Sequence, residues 1–156
     1  PYGEYDAATA GVIAELGMVA FGQHSGAVGP SSDPRALPRF PMAEAFADIG
    51  ELAVKVASRP LPVAKVTPWD PVTSSSRPRI EVPLAPTDAN LDRLACFVSG
   101  QGAVPVKWLE ERRGFVVAPE HDLPAGRSRV NCTAPTADGA HFFWFSHPWV
   151  VRPRPE

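Results

Sequence analysis

Apolar positions along the chain fall into two textures. Up to residue 66 they recur at helical spacing. Val12, Ile13 and Leu16 share one face, Asp6 stands before them as an N-cap and Gly17 after them as a stop, which predicts a first helix. The run Met18-Val19-Ala20-Phe21 that follows predicts a buried strand. A second helix is predicted by Phe46, Ile49, Ala53 and Val56, spaced three and four apart, with Lys55 and Arg59 toward its C-terminal end and Pro60 beyond. Helices alternating with short apolar strands predict an α/β unit over residues 1–66.

From Arg79 onward the helical period disappears. Short β-type runs replace it: Ile80 to Leu84, Leu94 to Val98, Val104 to Leu109, Phe115 to Val117, Ser128 to Thr133 and Phe142 to Phe145. Ser99-Gly100, Arg113-Gly114 and Asp138-Gly139 mark turns between them, so residues 79–156 predict a small antiparallel β-sandwich. Between the two textures, residues 67–78 carry prolines and three consecutive serines and read as a linker. Within the first region, residues 22–41 are rich in Gly, Ser and Pro and longer than most connections, which marks a functional loop.

Composition narrows the possibilities. A chain of 156 residues with 44% hydrophobic content can bury a core, so general disorder is excluded. Nineteen prolines and twelve glycines argue against a helical bundle. A net charge of -2 supplies no electrostatic reason to bind nucleic acid. The stretch from Ala7 to Phe21 is interrupted by Gly11, Glu15 and Gly17 and is too short to span a bilayer. With Pro1 first and no signal-type segment ahead of it, the chain is expected to be a fragment whose N-terminal portion is missing.

Cys96 and Cys132 sit in predicted strands with alternation that points both sulfurs inward, so a bridge across the core is feasible. Two reduced core thiols are the alternative. A bond would contribute roughly 3 to 4 kcal/mol through the entropy of the closed loop and would imply an oxidising compartment. Trp108 between the two cysteines makes an order that resembles the Cys, Trp, Cys signature of immunoglobulin-type sandwiches, although Val130 stands where those carry a Tyr. Zinc binding by the cysteines with His121, His141 or His147 is disfavoured because no Cys-x-x-Cys pair exists, and nothing places a base beside either thiol for nucleophilic chemistry. Asn131-Cys132-Thr133 matches a glycosylation acceptor.

Pro1-Tyr2-Gly3, then Glu4-Tyr5-Asp6, the Leu16-Gly17 helix end, Phe21-Gly22-Gln23-His24-Ser25-Gly26 and Ala36-Leu37-Pro38-Arg39-Phe40 together resemble the later part of bacterial polysaccharide deacetylases. These are the NodB-homology enzymes of carbohydrate esterase family four and the related poly-N-acetylglucosamine deacetylases. The resemblance covers residues 1–63. It implies the end of a (β/α) barrel followed by the immunoglobulin-like sandwich, and, for the intact parent, hydrolysis of acetamide groups on an N-acetylated polysaccharide. The parent's divalent metal, zinc in expectation, would be held by motifs upstream of Pro1, so this fragment would contribute no metal ligand and would be inactive alone. The backbone N–H of Tyr2 would be the oxyanion donor, and Pro1, Gly3, Gln23, His24 and Ser25 would line the substrate groove. His24 invites a general-acid reading, against that of a surface-loop histidine. Asp33 reads as a turn residue and Arg39 as either a site residue or a surface ion pair.

Phe142-Phe143-Trp144-Phe145 and Trp149 place aromatics on both faces of one strand. One face packs the sandwich; the other serves either the neighbouring region or, through Trp144 or Trp149, a sugar ring. Arg127 and Arg129 fall on the outward parity of their strand and are expected in solvent. The whole is expected to be periplasmic or secreted. A non-catalytic carbohydrate-binding or scaffolding module is the second reading, and an immunoglobulin-like adhesion domain the third.

Overall fold

The computed structural model describes residues 3–43 and 47–152; the expectations placed on Pro1, Tyr2 and Phe46 lie outside them. Two long strands organise the fold. β8 (Gly126–Pro135) and β9 (Phe142–Val151) pair antiparallel along their whole length, from Gly126↔Val151 to Pro135↔Phe142. The turn joining them closes where Thr136 N–H donates to the His141 carbonyl at 2.9 Å, with Gly139 at φ +72°. Strand alternation then sorts the side chains. Ser128, Val130, Cys132 and Ala134 with Phe143, His147, Trp149 and Val151 are buried on the inner face; Arg127, Arg129, Asn131, Thr133, Trp144, Ser146, Pro148 and Val150 occupy the outer one.

β8 pairs on its other side with β4 (Ala95–Val98), which pairs with β5 (Gly102–Val104). A second sheet of β3 (Ile80–Pro83), β7 (Gly114–Val117) and β6 (Val106–Trp108) faces the first, with β7 in the middle and buried throughout. Ile80, Val82, Phe115 and Val117 from this sheet meet Cys96, Val98, Val130 and Cys132 from the other, forming one core. The short strands expected from residue 79 onward overlap observed ones, except that the expected Val104 to Leu109 is divided at Pro105 between β5 and β6, which belong to different sheets.

The immunoglobulin-like arrangement is corrected. Cys96 and Cys132 are bonded, but they are directly opposite each other on adjacent strands of one sheet, with Cα atoms 4.0 Å apart, so the bridge ties β4 to β8 and does not cross the core. Inward parity was legible; which neighbour each sulfur meets depends on a strand pairing that parity does not specify. Asn131, of the acceptor motif, points from β8 to a hydrogen bond with the Ser146 hydroxyl on β9.

The free edge of β9 is met twice in parallel, by β1 (Arg59–Pro60) at Phe143 and Trp144 and by β2 (Val72–Thr73) at Val150 and Val151. Leu61 N–H donates to the Trp144 carbonyl at 2.9 Å and Val150 N–H to that of Pro71 at 2.8 Å. The backbone of Ser146 and Pro148, of the same parity as Trp144 and Val150, faces the gap between these contacts. Pro148 has no N–H to lose there.

The described residues between 3 and 58 form no barrel, and this corrects the fold class expected for residues 1–66. Local signals were obeyed: α1 (Ala7–Glu15) begins where Asp6 accepts from Thr9 N–H at 2.8 Å and ends at Gly17 with φ +62°; α2 (Ile49–Val56) begins where Asp48 accepts from Glu51 N–H at 2.8 Å. What is absent is a sheet for them to pack on. The run Met18 to Phe21 makes one isolated bridge, Phe21↔Leu37, and is exposed at Met18, Val19 and Phe21. The following segment instead lies across the outer face of β8 and β9. Phe40 meets Trp144 edge-on with ring centroids 5.1 Å apart, and Arg127 reaches Glu4 at 3.2 Å and the Gln23 side-chain carbonyl at 3.3 Å. Residues 67–78, expected as a linker, carry β2, the fully buried Pro71, and Trp69, which packs against Tyr5.

Candidate functional site

The long loop after Phe21 crosses β9 beside the gap, and its shape is fixed by main chain. Gly22 N–H donates to the Leu37 carbonyl at 2.9 Å and Arg39 N–H to that of His24 at 3.0 Å, while Arg39 Nε donates to the Gly22 carbonyl at 3.0 Å. Arg39 is thus a clamp on the loop. The loop turns His24 inward, where it is 7% exposed, and Gly22 makes room for the ring: a Cβ at that position would stand 2.6 Å from His24 Nδ1. His147, 4% exposed, comes to the same place from β9.

Both imidazoles line a cavity of about 470 Å³ between the loop, β9 and residues 60–69. Tyr5, Trp69, Trp144 and Phe145 form its aromatic walls. Tyr5 is 5.5 Å from the Trp69 ring and 6.1 Å from the His24 ring, centroid to centroid. The Arg35 guanidinium lies 4.6 Å over Trp69 and is held by Asp33 at 2.6 Å. A smaller cavity of about 290 Å³ adjoins it, sharing Tyr5 and His24 and adding Gly3, Gln23, Arg127 and Trp149.

The electrostatics follow from burial. Desolvation lowers His24 to about 4, and desolvation reinforced by the neighbouring His24 lowers His147 to about 3, so both rings are neutral near pH 7. The Tyr5 phenol is pushed upward by burial and by the Asp33 and Asp70 carboxylates. Hydrogen bonds from Arg35 lower Asp33, which is therefore an anion partnered to Arg35 besides a turn residue. Among the described residues, four buried side-chain nitrogens have no hydrogen-bond partner: His24 Nδ1, Trp144 Nε1, His147 Nε2 and Trp149 Nε1. The first three belong to residues lining the larger cavity.

The residues singled out from sequence divide accordingly. Gly3, Gln23, His24 and Ser25 line these cavities, and Trp144 borders one of them with its ring against Phe40. Trp149 is an inner-face residue at 2% exposure and offers no open ring to stack on. With His24 lowered to about 4 by desolvation, its ring near pH 7 is the neutral imidazole and not the imidazolium. Tyr5, Trp69 and the importance of His147 were missed. The signal for His147 was available, since it shares strand parity with Phe145 and Trp149.

Among the described residues no group of three or more His, Cys, Asp or Glu is placed to hold a metal ion. None of their helices is long and apolar enough to cross a membrane. No protein-family model matches the chain, and no curated protein matches it. Among solved structures it is similar to CopC from Methylosinus trichosporium OB3b, at 16% identity and a TM-score of 0.44 over 60% of this chain and 95% of that one. It is also similar to PcoC, a copper resistance protein from Escherichia coli, at 18% identity and a TM-score of 0.42 over 58% of this chain and 98% of that one. With the described residues between 3 and 58 forming no barrel and no deacetylase model matching the chain, the deacetylase family, its hydrolytic activity, its zinc and its N-acetylated polysaccharide are withdrawn, and so is the carbohydrate-binding alternative.

Proposed function

We propose that this chain is a binding protein of an oxidising compartment, periplasmic or extracellular, which seats a small ligand in the cavity at the gap in the β9 edge. The observation that carries this reading is the make-up of the cavity: aromatic walls interleaved with polar and charged groups, drawn from residues as far apart as Tyr5, Arg35, Trp69 and His147. Residues from four separated segments meet there around space. His24 and Ser25 form the loop side of the seat, and Gly3 and Gln23 line the smaller cavity beside it. The Cys96–Cys132 bond supports the compartment.

The test uses anilinonaphthalene sulfonate, a dye that brightens in apolar sites. It should bind the folded chain stoichiometrically, and Ala27→Trp, which fills the cavity from the loop side, should abolish binding while leaving far-ultraviolet circular dichroism unchanged. Absence of binding to the wild type, or binding indifferent to Ala27→Trp, would overturn the reading.

A further inference from the structure

We propose that the smaller cavity is a second binding site, for a small organic carboxylate, and that the Arg129 guanidinium receives the anion. The site lies beside the larger cavity and does not depend on what that one holds.

Strand alternation puts Arg127 and Arg129 on the outer face of β8, and the register sets Val150 and Pro148 opposite them on β9. The chain around Gly3, Tyr5 and Gln23 crosses this face without closing on it, which leaves the space of about 290 Å³. The end of β4 fixes Arg129 through its main chain. Ser99 N–H donates to the Arg129 carbonyl at 3.0 Å, and Arg129 N–H donates to the Ser99 hydroxyl at 3.1 Å.

The two arginines differ in what they already hold. Arg127 Nε is paired with Glu4 at 3.2 Å, and its Nη1 donates to Gln23 Oε1 at 3.3 Å. Arg129 is half-buried, yet among the described residues its guanidinium has neither an ion pair nor a hydrogen bond. Glu4 is the only carboxylate among the described residues lining the cavity, and it is spent on Arg127, so a positive charge is left uncompensated at Arg129. A monoanion balances it. The parallel N–H groups of a guanidinium match the two oxygens of a carboxylate. The other walls decide what that carboxylate is attached to. Pro71, Pro148 and Val150 supply apolar lining, and Gln23, whose Oε1 is taken by Arg127, keeps its amide N–H groups to donate. Charged donors beside hydrocarbon select an apolar carboxylate over a bare inorganic anion.

Benzoate is the probe, benzyl alcohol its uncharged counterpart, and inorganic phosphate the anion without hydrocarbon. Titrated into the whole chain and followed by proton–nitrogen spectra, benzoate should saturate one site and shift the Nε–H signal of Arg129. Benzyl alcohol and phosphate should each bind about tenfold more weakly or worse. Arg129→Gln should weaken benzoate by about tenfold or more, the loss of a charge-assisted pair. Glu4→Gln, which frees Arg127 for the ligand, should tighten it about two- to fivefold. Ala27→Trp, at a residue that lines the larger cavity and not this one, should leave benzoate binding as it is. No binding of benzoate, benzyl alcohol or phosphate held as tightly as benzoate, Arg129→Gln without effect, Glu4→Gln failing to tighten, or benzoate lost in Ala27→Trp would each overturn the assignment. If Arg129→Gln does not fold, Glu4→Gln and the wild-type titrations decide.

Discussion

The sandwich and the segment that precedes it treat apolar side chains in opposite ways. Ile80, Val82, Phe115 and Val130 are 0% exposed between two sheets, whereas Leu16 on α1 is 66% exposed and Ile49 and Val56 on α2 are 83% and 77% exposed. Both regions carry regular patterns, and the two helices and the sandwich strands form where those patterns predict them, whereas the strand predicted at Met18 to Phe21 does not. The difference is that β-strands alternating inward and outward bring their own partner layer, while a helix with an apolar stripe needs a surface supplied by something else. Pattern therefore specifies local structure in both regions and burial in only one. Residues 3–43 are attached to the sandwich by a short set of contacts: Phe40 on Trp144, Arg127 with Glu4 and Gln23, and His24 at the β9 gap.

The sharpest test of this contrast is a matched pair of truncations. Phe115→Ala should destabilise the fold by about 3 to 5 kcal/mol in urea unfolding, because it opens a cavity at the centre of the core. Ile49→Ala should stay within about 0.5 kcal/mol of the wild type. Equal losses would mean that α2 packs on a surface that its exposure does not reveal.

Next in size is the disulfide. Replacing both Cys96 and Cys132 by Ala should cost about 2 to 4 kcal/mol, seen as a lower thermal midpoint that no longer responds to reductant. The loss belongs to the sandwich alone, so the loop contacts around His24 should survive in its folded state.

Acid should weaken the attachment of the loop from inside. With His24 lowered to about 4 and His147 to about 3, the unfolded chain takes up protons from about pH 6.5 downward that the folded chain refuses. Stability, full above that pH, should fall as the pH drops from about 6.5 toward 4. Urea midpoints measured across this window should follow a flatter line in His24→Gln.

Gly22→Ala should follow, at about 1 to 3 kcal/mol, because the new methyl group overlaps the His24 ring and forces it from its seat. Amide hydrogen exchange should quicken in residues 22–40 and stay unchanged in β8. The smallest effect is expected from Arg127→Ala, about 0 to 1 kcal/mol, since its ion pair with Glu4 is exposed on both sides.

What could be read from residues alone follows the same division. Asp6, Gly17 and the Asp138-Gly139 turn act over a few residues, and each is where its side chain or backbone freedom requires it to be. Alternation through Val130 and Cys132 gave the inward face of β8. By contrast, β1 and β2 each span two residues, too few to carry a period, and their parallel pairing with β9 is set by contacts distant in sequence. The meeting of His24 with His147 depends on that pairing and on the path of the loop, so neither histidine announced the other. The short stretches that resemble a deacetylase motif come with a single predicted strand, Met18 to Phe21, too little to build a barrel from residues 1–66.

The proline at position 148 has a consequence beyond geometry. A sheet margin left bare invites another polypeptide to add a strand, the first step of clumping. Here the two short neighbours cover the ends of that margin, and the only uncovered stretch is interrupted by a residue that cannot donate to an incoming ladder. The gap in that margin is thereby closed to a foreign strand.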